Sequence, residues 1–130
     1  MYSVRIRDHI MIAHSLPDAF FGPASQLHGA TYVVDAEFLS EKLNPQNVVI
    51  DIGYAHEALK SVLQKLNYRN LDEIEEFSGK LTTTEFLARA IHEKLAQKVG
   101  SQFSGKLKVT LGESHVAWAS YESGVGSQEL

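Results

Sequence analysis

The 130-residue sequence contains no cysteine. This absence excludes disulfide bonds, cysteine-ligated zinc, iron–sulfur clusters and thiol nucleophiles. Positive charge is also scarce, because 12 lysines and arginines stand against 16 aspartates and glutamates, for a formal net charge of −4. A nucleic-acid-binding domain normally carries a surplus of basic residues on one face, so a nucleic-acid partner is not expected.

The sequence also lacks a long hydrophobic run. No stretch approaches the roughly 18 apolar residues that a membrane-spanning helix needs. Arg5, Arg7 and Asp8 interrupt the N-terminal segment, which therefore does not resemble a signal peptide. The length and the 44% hydrophobic content suit one globular domain. We expect a cytoplasmic protein with no membrane partner, in which residues 1–122 form the domain and residues 123–130 a flexible C-terminal tail.

Apolar and polar residues alternate in several segments, which is the pattern of a half-buried β-strand. Two such segments, residues 2–12 and 30–39, lie near the N-terminus, and two shorter ones, residues 106–111 and 115–121, lie near the C-terminus. Asp8 falls on the apolar side of the first strand. There it indicates either a bulge or a polar contact with a neighbour.

Two segments between these strand pairs have apolar residues at helical spacing. One covers residues 55–66, and the other begins near Thr82, which has the spacing of a capping box with Glu85. The order ββααββ predicts an α+β domain, with an antiparallel four-stranded sheet carrying both helices on one face. Because such a sheet has two unpaired edges, we expect copies of the chain to pair edge to edge in a closed ring.

Two histidines stand at the ends of the first strand pair. His14 continues the apolar side of the first strand, and His28 opens the second strand on the equivalent side. If these strands pair antiparallel, the two imidazoles come together on one face. The pair is either the beginning of a zinc site, which needs three or four ligands, or two histidines hydrogen-bonded in a polar seam. His56 and His92 fall within the helices and are expected on the surface.

Glu113 directly follows an apolar strand and belongs to a turn. A carboxylate at this position can accept two parallel N–H donors from a planar heterocycle, which gives directional recognition. The alternative is a solvated carboxylate that has no ligand. The residues themselves leave both interpretations open.

Six short motifs are distributed over nearly the whole chain. They are IAHSL at 12–16, LHGATY at 27–32, VVIDIG at 48–53, LNYRNL at 66–71, TTTE at 82–85 and LGES at 111–114. Each motif is weak alone, but their order and spacing resemble those of the family that comprises the 6-pyruvoyl-tetrahydropterin synthases and the 6-carboxytetrahydropterin synthases.

The resemblance implies the tunnelling fold (T-fold), in which the sheets of ββααββ subunits join into a trimeric barrel and two barrels stack into a hexamer. It also implies active sites between subunits, zinc held by three histidines, and a glutamate that anchors a pterin beside backbone groups of an adjacent subunit. On this basis His14 and His28 match zinc ligands, Glu113 matches the pterin anchor, and Thr83 lies in the wall that the neighbouring subunit contributes.

The sequence departs from the family pattern in its metal ligands and its catalytic residues. Ala30 stands where the family has its third zinc-binding histidine, and residues 23–25 contain no cysteine where the family has its catalytic one. Asn67 and Tyr68 replace the aspartate and histidine of the proton relay. We therefore expect altered or reduced chemistry, since a general base typically contributes about 10²–10⁴-fold in rate.

Three residues are candidates to compensate for these departures. His9 or His115 would supply the third zinc ligand, His9 only if a bulge near Asp8 changes the side of the strand on which it lies. Tyr68 would act as a proton donor. The expected protein is a metal-dependent enzyme of the carbon–oxygen lyase type, acting on a dihydropterin such as 7,8-dihydroneopterin triphosphate. The alternative is a T-fold protein that binds a pterin or purine without synthase activity.

Overall fold

Strand β1 (Tyr2–His14) and strand β2 (His28–Ser40) form a long antiparallel hairpin in the computed structural model, which describes residues 1–126. Their register is unbroken along the whole length of both strands. No bulge occurs at Asp8, so this expectation is wrong. The predicted alternative, a polar contact, is present instead, because Asp8 Oδ2 lies 3.9 Å from His56 Nε2.

The other strands and helices follow in the predicted order, with one additional short strand between the two helices. Three short 3-10 helices lie in the connections, at Ala19–Ser25, Leu71–Glu73 and Glu75–Phe77. The remaining elements are α1 (Ile52–Leu63), β3 (Arg69–Asn70), α2 (Thr84–Val99), β4 (Gly105–Gly112) and β5 (Trp118–Val125).

The sheet has five strands in the order β3-β1-β2-β4-β5. The four long strands are antiparallel to their neighbours, whereas β3 runs parallel to β1. The predicted α+β class is thus confirmed, and the predicted count of four strands is corrected to five. A strand of two residues is too short to show a period of two, which is why the sequence pattern did not reveal it.

The outer edge of β1 is covered only near its C-terminal end. Asn67 Oδ1 accepts the N–H of Met11 at 2.9 Å, and the N–H of Tyr68 donates to the Met11 carbonyl oxygen at 2.7 Å. The rest of this edge and the outer edge of β5 have no partner strand within residues 1–126. These are the two unpaired edges on which the expected ring assembly depends.

The hydrophobic core fills the space between one face of the sheet and the two α-helices. Phe38 and Leu107 from the sheet meet Leu59 of α1 and Ile91 of α2, and all four side chains are fully buried. Burying one such side chain contributes about 1.5–3 kcal/mol to the free energy of folding. This packing fixes α2 against β4 and β5, and so places the start of α2 beside the ends of the strands.

Each α-helix begins with a side-chain cap. Asp51 accepts the N–H of Tyr54 at the start of α1. At the start of α2 the cap is Thr83, whose hydroxyl accepts the N–H of Phe86 at 3.1 Å. The capping residue was predicted to be Thr82, one position too early. Three consecutive threonines have equal capping ability, so only the packing decides which one caps the helix.

Strand β5 continues to Val125, which is buried, and thus passes the predicted domain end at residue 122. Residues 123–125 therefore belong to the sheet and not to a tail. Residues 127–130, the end of the predicted tail, lie outside the described residues. Within the described part of the chain, neither α-helix is long and apolar enough to cross a bilayer.

His92 is buried in the core, contrary to the surface position predicted for it. Its Nε2 lies 3.0 Å from the carbonyl oxygen of Leu107, and its ring makes an edge contact with Tyr121 at 4.9 Å between centroids. Desolvation lowers the pKa of His92 below its usual value, and backbone hydrogen bonding opposes this lowering only in part. The core therefore holds a neutral imidazole.

We expect the free energy of unfolding to decrease as the pH falls below the ordinary histidine pKa of 6.5. A histidine with a lowered pKa in the folded state contributes stability above its unfolded-state pKa, and loses it as the pH falls toward the folded-state value. Urea denaturation at several pH values from about 7.5 to about 5 measures how steeply the free energy of unfolding changes with pH. The slope should be smaller in His92→Gln than in the wild type, with His9→Gln as the matched control. Equal slopes in wild type and His92→Gln would contradict the assignment.

Candidate active site

The end of the β1–β2 hairpin brings His14 and His28 together. They are directly opposite each other in the ladder, and their ring centroids lie 4.7 Å apart with an interplanar angle of 64°. The structure therefore contains the pair of imidazoles that the strand pattern predicted. His14 is only 2% exposed, whereas His28 is partly accessible.

The buried ring of His14 is held by a threonine. Its Nδ1 lies 3.0 Å from Thr82 Oγ1, on the segment just before α2. Desolvation, and next the neighbouring His28, lower the pKa of His14, while Asp72 and Glu113 oppose the shift by their negative charge. His14 is therefore neutral at neutral pH, which is the state required of a metal ligand or of a hydrogen-bond acceptor.

The ring of His28 has one defined tautomer. Its Nδ1 lies 2.8 Å from the carbonyl oxygen of Gln26, and because a carbonyl only accepts, Nδ1 carries the proton. Nε2 of neutral His28 therefore has a free lone pair. In both histidines a hydrogen bond occupies Nδ1, so both rings have Nε2 as the atom left for a ligand.

The two Nε2 atoms of His14 and His28 could occupy two of the coordination positions of a zinc ion. Within residues 1–126, no group of three or more histidine, aspartate and glutamate side chains is close enough to hold a metal ion. His9 is 73% exposed in its side chain and, because the strand has no bulge, lies on the opposite face from His14. His115 is exposed in the hairpin between β4 and β5. Ala30 supplies no ligand, so a three-histidine site is not formed by the described residues.

Glu113 lies at the start of the same hairpin and reaches α2. Its Oε1 accepts a hydrogen bond from Thr84 Oγ1 at 2.6 Å, and its N–H donates to the Ala117 carbonyl oxygen at 3.0 Å. Thr84 is the first residue of α2, so the carboxylate lies at the positive end of the helix dipole. The negative charge of Glu113 acts on both His14 and Tyr32.

Thr83 contributes to this site only indirectly. Its hydroxyl is engaged in capping α2, and the hydroxyl that contacts Glu113 belongs to Thr84. The three threonines thus have three partners: His14 for Thr82, the helix end for Thr83 and Glu113 for Thr84. Sequence reasoning missed Thr82 and Thr84, although the run of threonines beside a family motif was the signal that pointed to them.

Asp72 is a further residue that the sequence did not single out. It accepts hydrogen bonds from the Ser15 N–H at 3.2 and 3.0 Å and from the Ser15 hydroxyl at 2.6 Å. These bonds fix the chain immediately after His14. Asp72 begins an acidic run, residues 72–76, and the composition of such a run does not show which of its carboxylates turns inward.

Tyr68 is not part of this site within one chain. Its side chain is 80% exposed, and its backbone has a φ of 63°, which is unusual for a bulky residue. The hydrogen bond from its N–H to Met11 holds the backbone in this conformation at the edge of the sheet. The phenol is therefore exposed beside the end of β1 that this segment covers.

The model of the 6-pyruvoyl tetrahydropterin synthase family matches residues 3–124 of this chain. The chain belongs to this family. It is 30% identical over 96 residues to a 6-carboxy-5,6,7,8-tetrahydropterin synthase of Bacillus subtilis (strain 168), in an alignment that covers 67% of this chain and 60% of that protein. The chain thus aligns with less than two thirds of that relative's length.

Two solved structures of family members are similar to this chain. The 6-pyruvoyl tetrahydropterin synthase of Caenorhabditis elegans has a TM-score of 0.82 and 26% identity, with 94% of this chain and 95% of that chain covered. The enzyme of Plasmodium vivax has a TM-score of 0.73 and 17% identity, with 96% and 100% covered, and shows likeness of fold alone. The family's T-fold is therefore confirmed for this chain.

Thr82→Val should destabilise the protein by about 1–3 kcal/mol, because it leaves a polar atom of buried His14 without its partner. Thr110→Val, on β4, is the matched control, since it makes the same chemical change away from the site. Urea denaturation of both variants measures the difference. Equal destabilisation by the two substitutions would contradict a specific role of the Thr82–His14 contact.

Proposed function

We propose that this chain binds a dihydropterin, of the type of 7,8-dihydroneopterin triphosphate, and acts on it as a tetrahydropterin synthase homologue with altered chemistry. The observation that carries the proposal is the Glu113 carboxylate, which Thr84 holds at the start of α2 and whose charge acts on His14. Glu113 would recognise the planar heterocycle, and His14 and His28 are suited to chemistry on the side chain of that heterocycle. Membership of the family supports the same substrate class.

The recognition step follows from the donor pattern of a pterin. The N3–H and the 2-amino group of a pterin point in the same direction, and a carboxylate accepts both as a parallel pair of hydrogen bonds. Glu113 is exposed enough to meet such a ring, and it has a free oxygen besides the one bonded to Thr84. With the ring on Glu113, the substrate side chain would extend toward His14 and His28.

The proposal includes a metal ion held through Nε2 of His14 and His28. When bound, zinc polarises an oxygen of the ligand and so favours loss of a proton from a neighbouring carbon. The chain's own part is to keep both imidazoles oriented, which Thr82 and the Gln26 carbonyl support. The remaining coordination positions would be filled by water or by the ligand's side chain.

The altered chemistry is inferred from the residues that replace the proton relay. Asn67 uses its amide oxygen to hold Met11 at the sheet edge, and the Tyr68 side chain is exposed beside it. We propose that Tyr68 serves as proton donor in the site of an adjacent subunit. Such an arrangement requires several copies of the chain to join through the unpaired edges of β1 and β5. We propose that this ring is a trimer or a hexamer and that the protein is cytoplasmic.

A second candidate function is binding of a pterin or purine without the synthase reaction. The observation that favours it is that the sequence has no cysteine and that Asn67 and Tyr68 stand where the family has the aspartate and histidine of its proton relay. A guanine ring presents the same adjacent N–H and amino donors as a pterin, so Glu113 would accept either ring. Turnover distinguishes this candidate from the first one.

Binding and turnover of 7,8-dihydroneopterin triphosphate by wild type, Glu113→Gln and Tyr68→Phe test the proposal. Glu113→Gln should weaken binding by about 10- to 100-fold, because it removes a charge-assisted bidentate contact. Tyr68→Phe should keep the affinity and lower the rate by about 10²–10⁴-fold, the usual contribution of a proton-transfer residue. Glu122→Gln, on β5, is the control for loss of a surface carboxylate.

The outcomes separate the two candidates. Binding of the dihydropterin without turnover in the wild type would favour the non-synthase protein. Equal affinity of wild type and Glu113→Gln would contradict the recognition step. A Tyr68→Phe variant as active as the wild type would remove Tyr68 from the chemistry.

Elemental analysis of purified protein tests the metal separately from activity. Wild type should contain about one zinc per chain, and both His14→Ala and His28→Ala should lose it, since each removes one of two protein ligands. His9→Ala is the matched control and should retain the metal, because His9 lies on the other face of β1. Metal-free wild-type protein that still binds the dihydropterin would refute the proposed zinc site at His14 and His28 but would leave the recognition by Glu113 intact.

A further inference from the structure

Glu113 is one end of a chain of three polar groups that starts inside the protein. Tyr32, on β2, is 1% exposed, and its hydroxyl interacts with the side chain of Thr84. The Thr84 hydroxyl in turn contacts Glu113 Oε1 at 2.6 Å. The sheet, the helix and the β4–β5 hairpin thus each contribute one member.

The direction of the hydrogen bonds in this chain is determined by chemistry. A carboxylate only accepts, so the Thr84 hydroxyl must donate to Glu113. The Thr84 oxygen keeps lone pairs on the side of the Tyr32 hydroxyl, with which its side chain interacts. Burial raises the pKa of Tyr32, so its phenol stays protonated and remains a donor. The Thr84–Glu113 bond therefore has one defined direction.

This arrangement restrains a side chain that otherwise has much freedom. Glu113 is exposed, and the terminal torsion of a glutamate is broad and roughly two-fold. Thr84 is rigid by comparison, because it is β-branched and lies in the first turn of α2. Its hydrogen bond holds one carboxylate oxygen in place and so narrows the range of orientations open to the carboxylate.

The orientation of the carboxylate decides which heterocycles bind well. A ring with two adjacent donors, such as N3–H and an amino group, needs both carboxylate oxygens in its own plane. A ring with a single donor at this edge gains little from the narrowed orientation, because one bond tolerates rotation of the carboxylate. Narrowing the orientation before binding also reduces an ordering cost that the ligand would otherwise have to meet.

We propose that Thr84 is a positioning residue that orients Glu113 and so makes this site selective for heterocycles with two adjacent N–H donors. The inference rests on the proposed function, since it concerns the same carboxylate. It goes further by assigning the selectivity to a hydroxyl on α2 and to Tyr32 behind it.

The test compares the affinities of two ring systems for wild type, Thr84→Val and Thr84→Ser. The probes are pterin and lumazine, which carries an oxygen in place of pterin's 2-amino group. Thr84→Val keeps the shape but removes the hydroxyl, so the ratio of pterin to lumazine affinity should fall about tenfold, the value of one hydrogen bond to a charged group. Thr84→Ser restores the hydroxyl and should restore the ratio.

Two further variants complete the design. Tyr32→Phe should lower the ratio in the same direction but less, because it removes only the hydroxyl that interacts with Thr84 from behind. Thr110→Val is the matched control and should leave the ratio at the wild-type value. Thermal unfolding of every variant identifies any that is not folded, and the selectivity ratio is independent of the folded fraction.

The outcomes distinguish failure of this inference from failure of the proposed function. Wild-type protein that binds pterin no better than lumazine would refute both the recognition by Glu113 and the role of Thr84. Wild-type selectivity that persists unchanged in Thr84→Val would refute the role of Thr84 alone. A loss of selectivity that Thr84→Ser fails to restore would also overturn it, since the hydroxyl would then not be the cause.

Discussion

The unbroken register of β1 and β2 is the constraint on which the rest of the site depends. Side chains alternate strictly along a strand, so a slip of one residue would move His14 out of the protein and His9 into it. In the register observed, His14 lies opposite His28 and continues the row that begins with buried Ile10. The same alternation that assembles the two imidazoles therefore keeps His9 away from them.

The sequence allowed the order of the long strands and helices along the chain and the approach of His14 to His28 to be predicted, because each depends on periodicity or on antiparallel pairing. It did not reveal β3, which is positioned by the Asn67 amide and the Tyr68–Met11 backbone bond and not by a repeating pattern. It also placed His92 on the surface. That error arose because a polar residue inside a helix is usually exposed, and here a carbonyl oxygen of β4 offers it a buried partner.

The polar part of the site was predictable only as far as residue types and family motifs reach. Glu113 could be singled out because it follows an apolar strand within a family motif. The division of roles among Thr82, Thr83 and Thr84 could not, since three identical neighbours differ only in the direction in which the backbone turns each side chain. That direction is set by how α2 packs on β4 and β5, which is a property of the whole core.

The two halves of the site have different origins in the chain. His14 and His28 belong to one hairpin and remain face to face as long as β1 and β2 stay paired. The Thr84–Glu113 bond, in contrast, joins α2 to the β4–β5 hairpin and exists only while the helix is docked. A partial opening that releases α2 would therefore abolish the oriented carboxylate before it disturbed the imidazole pair. A ligand that bridges both halves thus ties the helix to the sheet, and its binding energy adds directly to the cohesion of the fold.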